Sequence, residues 1–289
     1  MAVPHHGLMS HEASMGLTVA CVYICMPCTL FESFQTDITS DRLAGFLYAV
    51  LAVAAIQAVF FLVMGVLKRI LSFSTIESTS IIYSNAGNLI IPLVTGVFGP
   101  EYIFYTGAYL FVQNALLWSH AQMRIGGTKQ ASWRKIFLHP CVLSIFVGMF
   151  FMAMRWSLPT VVNTAFVSMS ACIGPLSMLT IGILIAEIDL KGMFVNRRIY
   201  MVAIFRLLLY PLLAMGTSFG IWKLFPVSVD PVIYLIVLMG ACGPAATSLT
   251  QMAQMFDNDP GYASSINVLT TFGSIVTMPL MMTVAQLIL

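Results

Sequence analysis

The sequence predicts an all-α integral membrane protein made of two inverted five-helix repeats with crossed, proline-broken helices. The first helix of repeat one is expected to be missing, which would leave nine spans. Three observations predict this. Hydrophobic residues make up 59% and charged residues only 8% of the 289, against roughly 25% charged in a soluble domain. Nine apolar runs approach or exceed the length of about 20 residues that a helical crossing needs. Prolines inside those runs recur at matching places in the two halves.

Taken in order, the runs lie near 14–31, 43–67, 76–98, 103–123, 140–157, 160–186, 197–220, 231–255 and 262–288. The first holds Pro27 in YICMPC. The third holds SNAGNLIIPL, where Asn85, Gly87, Asn88 and Pro92 interrupt apolar sequence. The fourth carries Gln113, Asn114 and His120, the sixth Pro175 and the seventh Arg206; Gly240, Gly243 and Pro244 fall in the eighth and Asn267 in the ninth. The second and fifth are read from length and hydropathy alone. The loops are too short for a soluble domain, so one membrane domain covers residues 1–289. Repeat one spans about 14–123, a cytoplasmic loop 124–138, and repeat two about 139–289.

Loop charges set the expected orientation. One set of alternate loops carries Lys68, Arg69, Arg124, Lys129, Arg134, Lys135, Lys191, Arg197 and Arg198; the other carries only Arg42, Arg155 and Lys223. The positive-inside rule puts the richer set in the cytoplasm. The chain is therefore expected to be a multi-pass protein of the cell membrane with residues 1–13 cytoplasmic and Leu289 outside. No cleavable signal peptide is expected, because MAVPHHGLMSHEAS lacks a basic segment leading into a cleavage site. The six cysteines, including the Cys25–Cys28 pair, lie in or beside the runs and read as small packing residues, not metal ligands. No cofactor is expected, and a net charge of +2 held in loops gives no reason to expect nucleic acid.

Pro27 precedes Pro92 by 65 residues and Pro175 precedes Pro244 by 69; the offsets between halves are 148 and 152, and Asn114 to Asn267 continues them at 153. A proline removes a helical hydrogen bond, which must be compensated in lipid. Two such pairs in register favour a duplicated unit. An odd number of spans per unit inverts the copies, which is the common plan of secondary transporters. The second copy has five helices and the first four. The counterpart of 140–157 would start before Met1, so the expected reading is that the chain begins late relative to its gene, with a natural nine-helix form as the alternative.

Unwound backbone at membrane depth is tolerated only inside protein or against a watery cavity. There, free backbone groups and half-helix dipoles hold ions or anionic groups. Asn85 and Asn88 add amides three residues apart, with Gly87 and Pro92 beside them. Ser248, Thr250 and Gln251 follow Pro244, and Gln113 and Asn114 lie on the next helix of the first half. This set builds a polar, uncharged binding site between two crossing helices; helix–helix glue is the competing use of such residues. Arg206, deep in its helix, is expected to bias the local potential towards anions, or else to snorkel or pair with Glu187.

SNAGNLIIPL followed by VFGPE resembles the fourth-helix signature of the auxin efflux carrier family, typically N-T-G-N-x-x-x-P-L. GPAATSLTQMAQMFDNDPGYASSINVLTTFGSIVTMPLMM looks like that family's ninth and tenth helices, and YICMPCTLFESF is similar to its second. The resemblance runs from about residue 14 to the end. It implies a ten-helix secondary carrier of two inverted repeats, one part a scaffold and the other containing the crossed helices. Such carriers move organic anions, dicarboxylates such as malate or malonate in bacteria and auxin in plants. It places Asn85, Asn88 and Pro92 on one side of the crossover, with Pro244 and the polar residues after it on the other. Ala86 departs from the usual threonine, and the absent first helix belongs in the family to the scaffold and its dimer surface. The short loop 124–138 excludes the plant type with its long hydrophilic loop.

The expected function is thus a permease for small organic anions such as dicarboxylates, working by alternating access around 85–92 and 244–251. Its expected partners are the substrate, the bilayer and a second copy of the chain in a homodimer. The alternative carrier is a sodium- or proton-coupled one of the bile-acid or antiporter type, which a buried aspartate at the crossover would favour; Asp257 and Asp259 lie in a loop. A non-transporting receptor would show saturable binding without flux. An intramembrane enzyme is not expected, since no H-E-x-x-H, G-x-S-x-G or intramembrane aspartate pair occurs.

Overall fold

Every regular element among the described residues is helical, as a chain that must satisfy its own backbone in lipid requires. The computed structural model describes residues 16–17, 19–35, 39–127, 138, 140–173, 175, 176, 179, 196–224 and 229–289, without the side chains of Val22, Asn88 and Gln254. Residues 1–13 and Lys129, Arg134, Lys135, Glu187 and Lys191 lie outside the described residues.

In chain order, a π turn (Cys21–Cys25) leads into α1 (Met26–Ser33), followed by α2 (Ser40–Leu71) and α3 (Thr75–Ile82). A second π turn (Ala86–Ile90) leads into α4 (Ile91–Val97). Then come α5 (Ile103–Leu116), a π turn (Leu117–Ala121) and α6 (Gln122–Gly126). The second half has α7 (Pro140–Met154), α8 (Thr160–Ala171) and α9 (Arg197–Ile204), which runs through a π turn (Phe205–Leu209) into α10 (Tyr210–Leu224). It ends with α11 (Pro231–Cys242), α12 (Thr247–Met255) and α13 (Pro260–Ile288). Among the described residues, three continuous helices, Ser40–Leu71, Arg197–Leu224 and Pro260–Ile288, are long and apolar enough to cross a membrane.

Local chemistry sets the ends. Thr39 caps α2 by accepting from the Arg42 N–H, while Asp41 in the first turn and Lys68 and Arg69 in the last complement the helix dipole. At 32 residues α2 rises about 48 Å, longer than a hydrocarbon core of about 30 Å. Asp259 caps α13 through the Tyr262 N–H, with Pro260 in its first turn.

Three of the four π turns end two residues before a proline: Cys25 before Pro27, Ile90 before Pro92, and Leu209 before Pro211. A proline cannot donate to the carbonyl four residues back, and its ring crowds that carbonyl. Widening the turn lets carbonyls accept from five residues on, as Met26 N–H to Cys21 O and Tyr210 N–H to Phe205 O do. Pro92 therefore sits in continuous helical structure. The expected break at Pro92 is corrected: the chain unwinds seven to nine residues earlier, at Tyr83, Ser84 and Asn85.

Two groups of helices result. The first, α1, packs chiefly on α7 and α8; the second brings together α2, α5, α9, α10 and α13 around the two interrupted helices. Aromatic rings join the groups, with Phe34 edge-on to Phe104 at 5.0 Å and to Phe46 at 5.8 Å. Large apolar side chains such as Leu62, Val66, Ile275 and Val276 stand exposed on the outer faces of α2 and α13, a surface suited to lipid and not to water.

Candidate functional site

The two interrupted helices meet at their unwound stretches. Ser84 and Ala245 form an isolated antiparallel bridge. Its two backbone bonds run from the Asn85 N–H to Pro244 O at 2.8 Å and from the Ala246 N–H to Tyr83 O at 3.1 Å. Because those flanking groups bond to each other, the N–H and C=O of Ser84 and Ala245 point away from the bridge. In a buried setting they need other partners.

Neighbouring helices supply them in the same way on both sides. On α5, Gln113 Oε1 accepts from the Ser84 N–H at 3.3 Å and from its hydroxyl at 2.7 Å, while Gln113 Nε2 donates to Ser84 O at 2.8 Å. On α13, Thr270 Oγ1 accepts from the Ala245 N–H at 3.1 Å and Asn267 Nδ2 donates to Ala245 O at 2.7 Å. The Tyr109 hydroxyl lies 3.2 Å from Ser84 Oγ, and the Tyr109 ring fills the space that a side chain at Gly240 would need.

Arg206 is wholly buried. Its Nε donates to Gly243 O at 2.9 Å, Nη2 to Ala241 O at 2.7 Å, and Nη1 to Ile81 O at 3.0 Å. These carbonyls end α11 and α3, so the guanidinium caps both half-helices at their negative ends.

A small cavity opens on the other half-helix ends. Its volume is about 30 Å³, enough for roughly two waters. Asn85, Gly87, Gln113, Asn114 and Ser248 line it from the crossover side, with Met26, Cys141 and Trp118 also in its lining. Among the described residues lining it there is no carboxylate, ammonium or guanidinium. Asn85 is 4% exposed and its Nδ2 has no hydrogen-bond partner. At Gly87 a β-carbon would run into the Met26 side chain, so the crossover and α1 touch there because glycine permits it.

Of the residues expected at the site, Asn85, Gly87, Gln113, Asn114 and Ser248 are brought together around this cavity. Pro244 lies in the bridge, where its carbonyl holds Asn85. Pro92 on α4, Gln251 on α12 and Arg206 do not line the cavity, and the Asn88 side chain lies outside the described residues. Sequence reading missed Ser84, Tyr109 and Thr270; Thr270 follows Asn267 by one helical turn, a spacing that could have found it.

It also missed Glu77, 2% exposed near the start of α3. Glu77 Oε1 accepts from Arg198 Nε at 2.7 Å and the Tyr262 hydroxyl at 2.8 Å; Oε2 accepts from Arg198 Nη2 at 2.9 Å and the Ser74 N–H at 2.6 Å. The Ser74 hydroxyl in turn accepts from the Glu77 N–H. That capping box was legible as S-T-I-E. Glu77 thereby ties α3 to α9 and α13. His120 places Nδ1 3.0 Å from the Tyr83 hydroxyl, which donates to Leu116 O.

A family model described as membrane transport protein matches residues 1–130 and 124–282. A comparison with curated proteins finds no match. Nearly the whole chain is thus covered by one family, and its crossover is built from the stretches that resembled that family's signature. The chain belongs to the auxin efflux carrier family and is a membrane transporter, not an enzyme.

Proposed function

We propose that the protein is a secondary permease for small organic anions such as dicarboxylates, with alternating access around the crossover. The observation that carries this reading is Asn85, which lines a cavity with no acidic side chain among its described lining residues and keeps a buried, unpartnered amide donor beside it. A buried donor without a partner costs about 1–3 kcal/mol, and a carboxylate oxygen would satisfy it. The start of α12 at Thr247, beside cavity-lining Ser248, adds the positive end of a helix dipole. A neutral grip of this kind holds an anion that must leave again.

Room for about two waters is too little for a dicarboxylate, so the form described is closed. Opening requires α1 and α7, which carry Met26 and Cys141, to part from the crossover. The same reading places residues 1–289 in one transporter domain of two inverted repeats with nine spans in the cell membrane, the first residues cytoplasmic and Leu289 outside. The two polar clamps, Gln113 on Ser84 and Asn267 with Thr270 on Ala245, support the repeat. A homodimer completes it. Asn85, Gly87, Asn88, Gln113, Asn114 and Ser248 contact substrate, Pro92, Pro244 and Gln251 shape the half-helices, and Arg206 supplies positive charge from behind.

The test is uptake of a labelled dicarboxylate panel by proteoliposomes, with Asn88→Ala alongside. Saturable uptake lost in the folded variant is expected. Normal uptake by folded Asn88→Ala removes that residue from the site, and absence of saturable uptake for every anion refutes the substrate class.

A further inference from the structure

At the crossover, four half-helix ends converge with opposite polarities. The positive ends, towards Ala86 and Thr247, adjoin the cavity. The negative ends, Ile81 and Ile82 of α3 and Ala241 and Gly243 at the end of α11, do not face empty space. Their carbonyls all receive hydrogen bonds from one guanidinium, with Ile82 O at 3.4 Å beside the three shorter contacts. Each helix end carries roughly half a negative charge, so two ends together match a single cation. Among the described residues no carboxylate pairs with Arg206. The match is between one fixed charge and two dipoles.

In crossed-helix carriers generally, unwound carbonyls and half-helix C-termini are where a coupling cation is held. Here that place is taken by a side chain. We propose that the carbonyls of Ile81, Ile82, Ala241 and Gly243 form a cation site that Arg206 fills permanently. The crossover then needs no alkali cation to neutralise its negative ends, and emptying the site makes one bind. The tether also explains why a buried arginine with no carboxylate partner among the described residues is kept in apolar surroundings: a hydrocarbon side chain there leaves four carbonyls without these donors, which is costly for each that finds no other partner. A planar guanidinium, with donors on three nitrogens, can serve carbonyls from two helices at once.

This inference deepens the transport reading and rests on it only for its consequence on flux. Thermal unfolding of the purified full chain is compared in sodium chloride and in choline chloride at equal ionic strength, for the wild type, Arg206→Ala and Arg206→Leu. The wild type is expected to unfold at the same temperature in both salts. Arg206→Ala is expected to unfold earlier and to regain stability in millimolar guanidinium, and less so in sodium, with a midpoint that climbs as the logarithm of cation concentration. Arg206→Leu, whose side chain fills the site with hydrocarbon, is expected to regain nothing. A folded Arg206→Ala protein indifferent to guanidinium overturns the proposal. So does a wild type stabilised by sodium over choline, an arm that needs no variant. Where a panel anion is taken up, replacing sodium by choline on both sides should leave the rate unchanged, and sodium-dependent uptake overturns the proposal. Absence of uptake for every anion refutes the substrate class instead, while the unfolding comparison still decides the cation site.

Discussion

Gln113→Leu removes the clamp on Ser84 while nearly preserving volume. In the native protein both residues are at most 2% exposed, and the Gln113 amide makes three bonds to Ser84 at 2.7, 2.8 and 3.3 Å. Leucine leaves the Ser84 N–H and C=O without those partners; its hydroxyl keeps Tyr109 at 3.2 Å. Two orphaned backbone groups at about 1–3 kcal/mol each give roughly 2–6 kcal/mol. Interhelical hydrogen bonds in membrane proteins average only about 0.6 kcal/mol where the bundle relaxes, which favours the lower half of that range. The expected loss is therefore about 2–4 kcal/mol. Asn267→Leu frees only Ala245 O, because Thr270 still accepts from the Ala245 N–H, so its loss should be about half as large. Denaturant unfolding in mixed micelles measures both as midpoint shifts at constant slope. A Gln113→Leu loss under about 0.5 kcal/mol, the size of an ordinary surface substitution, would refute the reasoning, as would a larger loss from Asn267→Leu.

Three further outcomes follow from the same geometry. Asn85→Ala deletes an amide whose Nδ2 has no partner in the resting protein, so stability should change by less than about 1 kcal/mol while saturable anion uptake is lost; unfolding and flux are measured on the same preparation. Glu77→Ala removes a buried carboxylate that accepts from four donors, but Arg198 is 47% exposed and returns to water, so the cost should be about 2 kcal/mol instead of the 3–5 of a fully buried pair, read from the unfolding midpoint. Gly240→Ala drives a methyl group into the Tyr109 ring and should destabilise by about 1–3 kcal/mol, with Tyr109→Leu in the same chain recovering part of the loss.

Much of the molecule could be read without coordinates. The scarcity of charge fixed the solvent as lipid, and lipid leaves a backbone few options besides helix. Polar residues inside apolar runs pointed to Asn85, Gly87, Gln113, Asn114 and Ser248, which line one cavity. Those signals are local, because the cost of an unsatisfied polar group in hydrocarbon is the same wherever the chain goes. The position of the first break was not local. Pro92 marks where a helical hydrogen bond cannot form, yet a π turn absorbs that defect. The chain unwinds instead at Tyr83–Ser84–Asn85, a stretch with neither proline nor glycine, because Pro244 and Ala246 offer backbone partners there and Gln113 holds the groups left over. Arg206 shows the same division. Its sequence position said only that a charge was buried; the carbonyls that compensate it lie 35 to 125 residues away and become one site only when two helix ends are brought together. A helix records in its own sequence what it cannot do alone, and the tertiary fold decides which distant group makes good the missing bond.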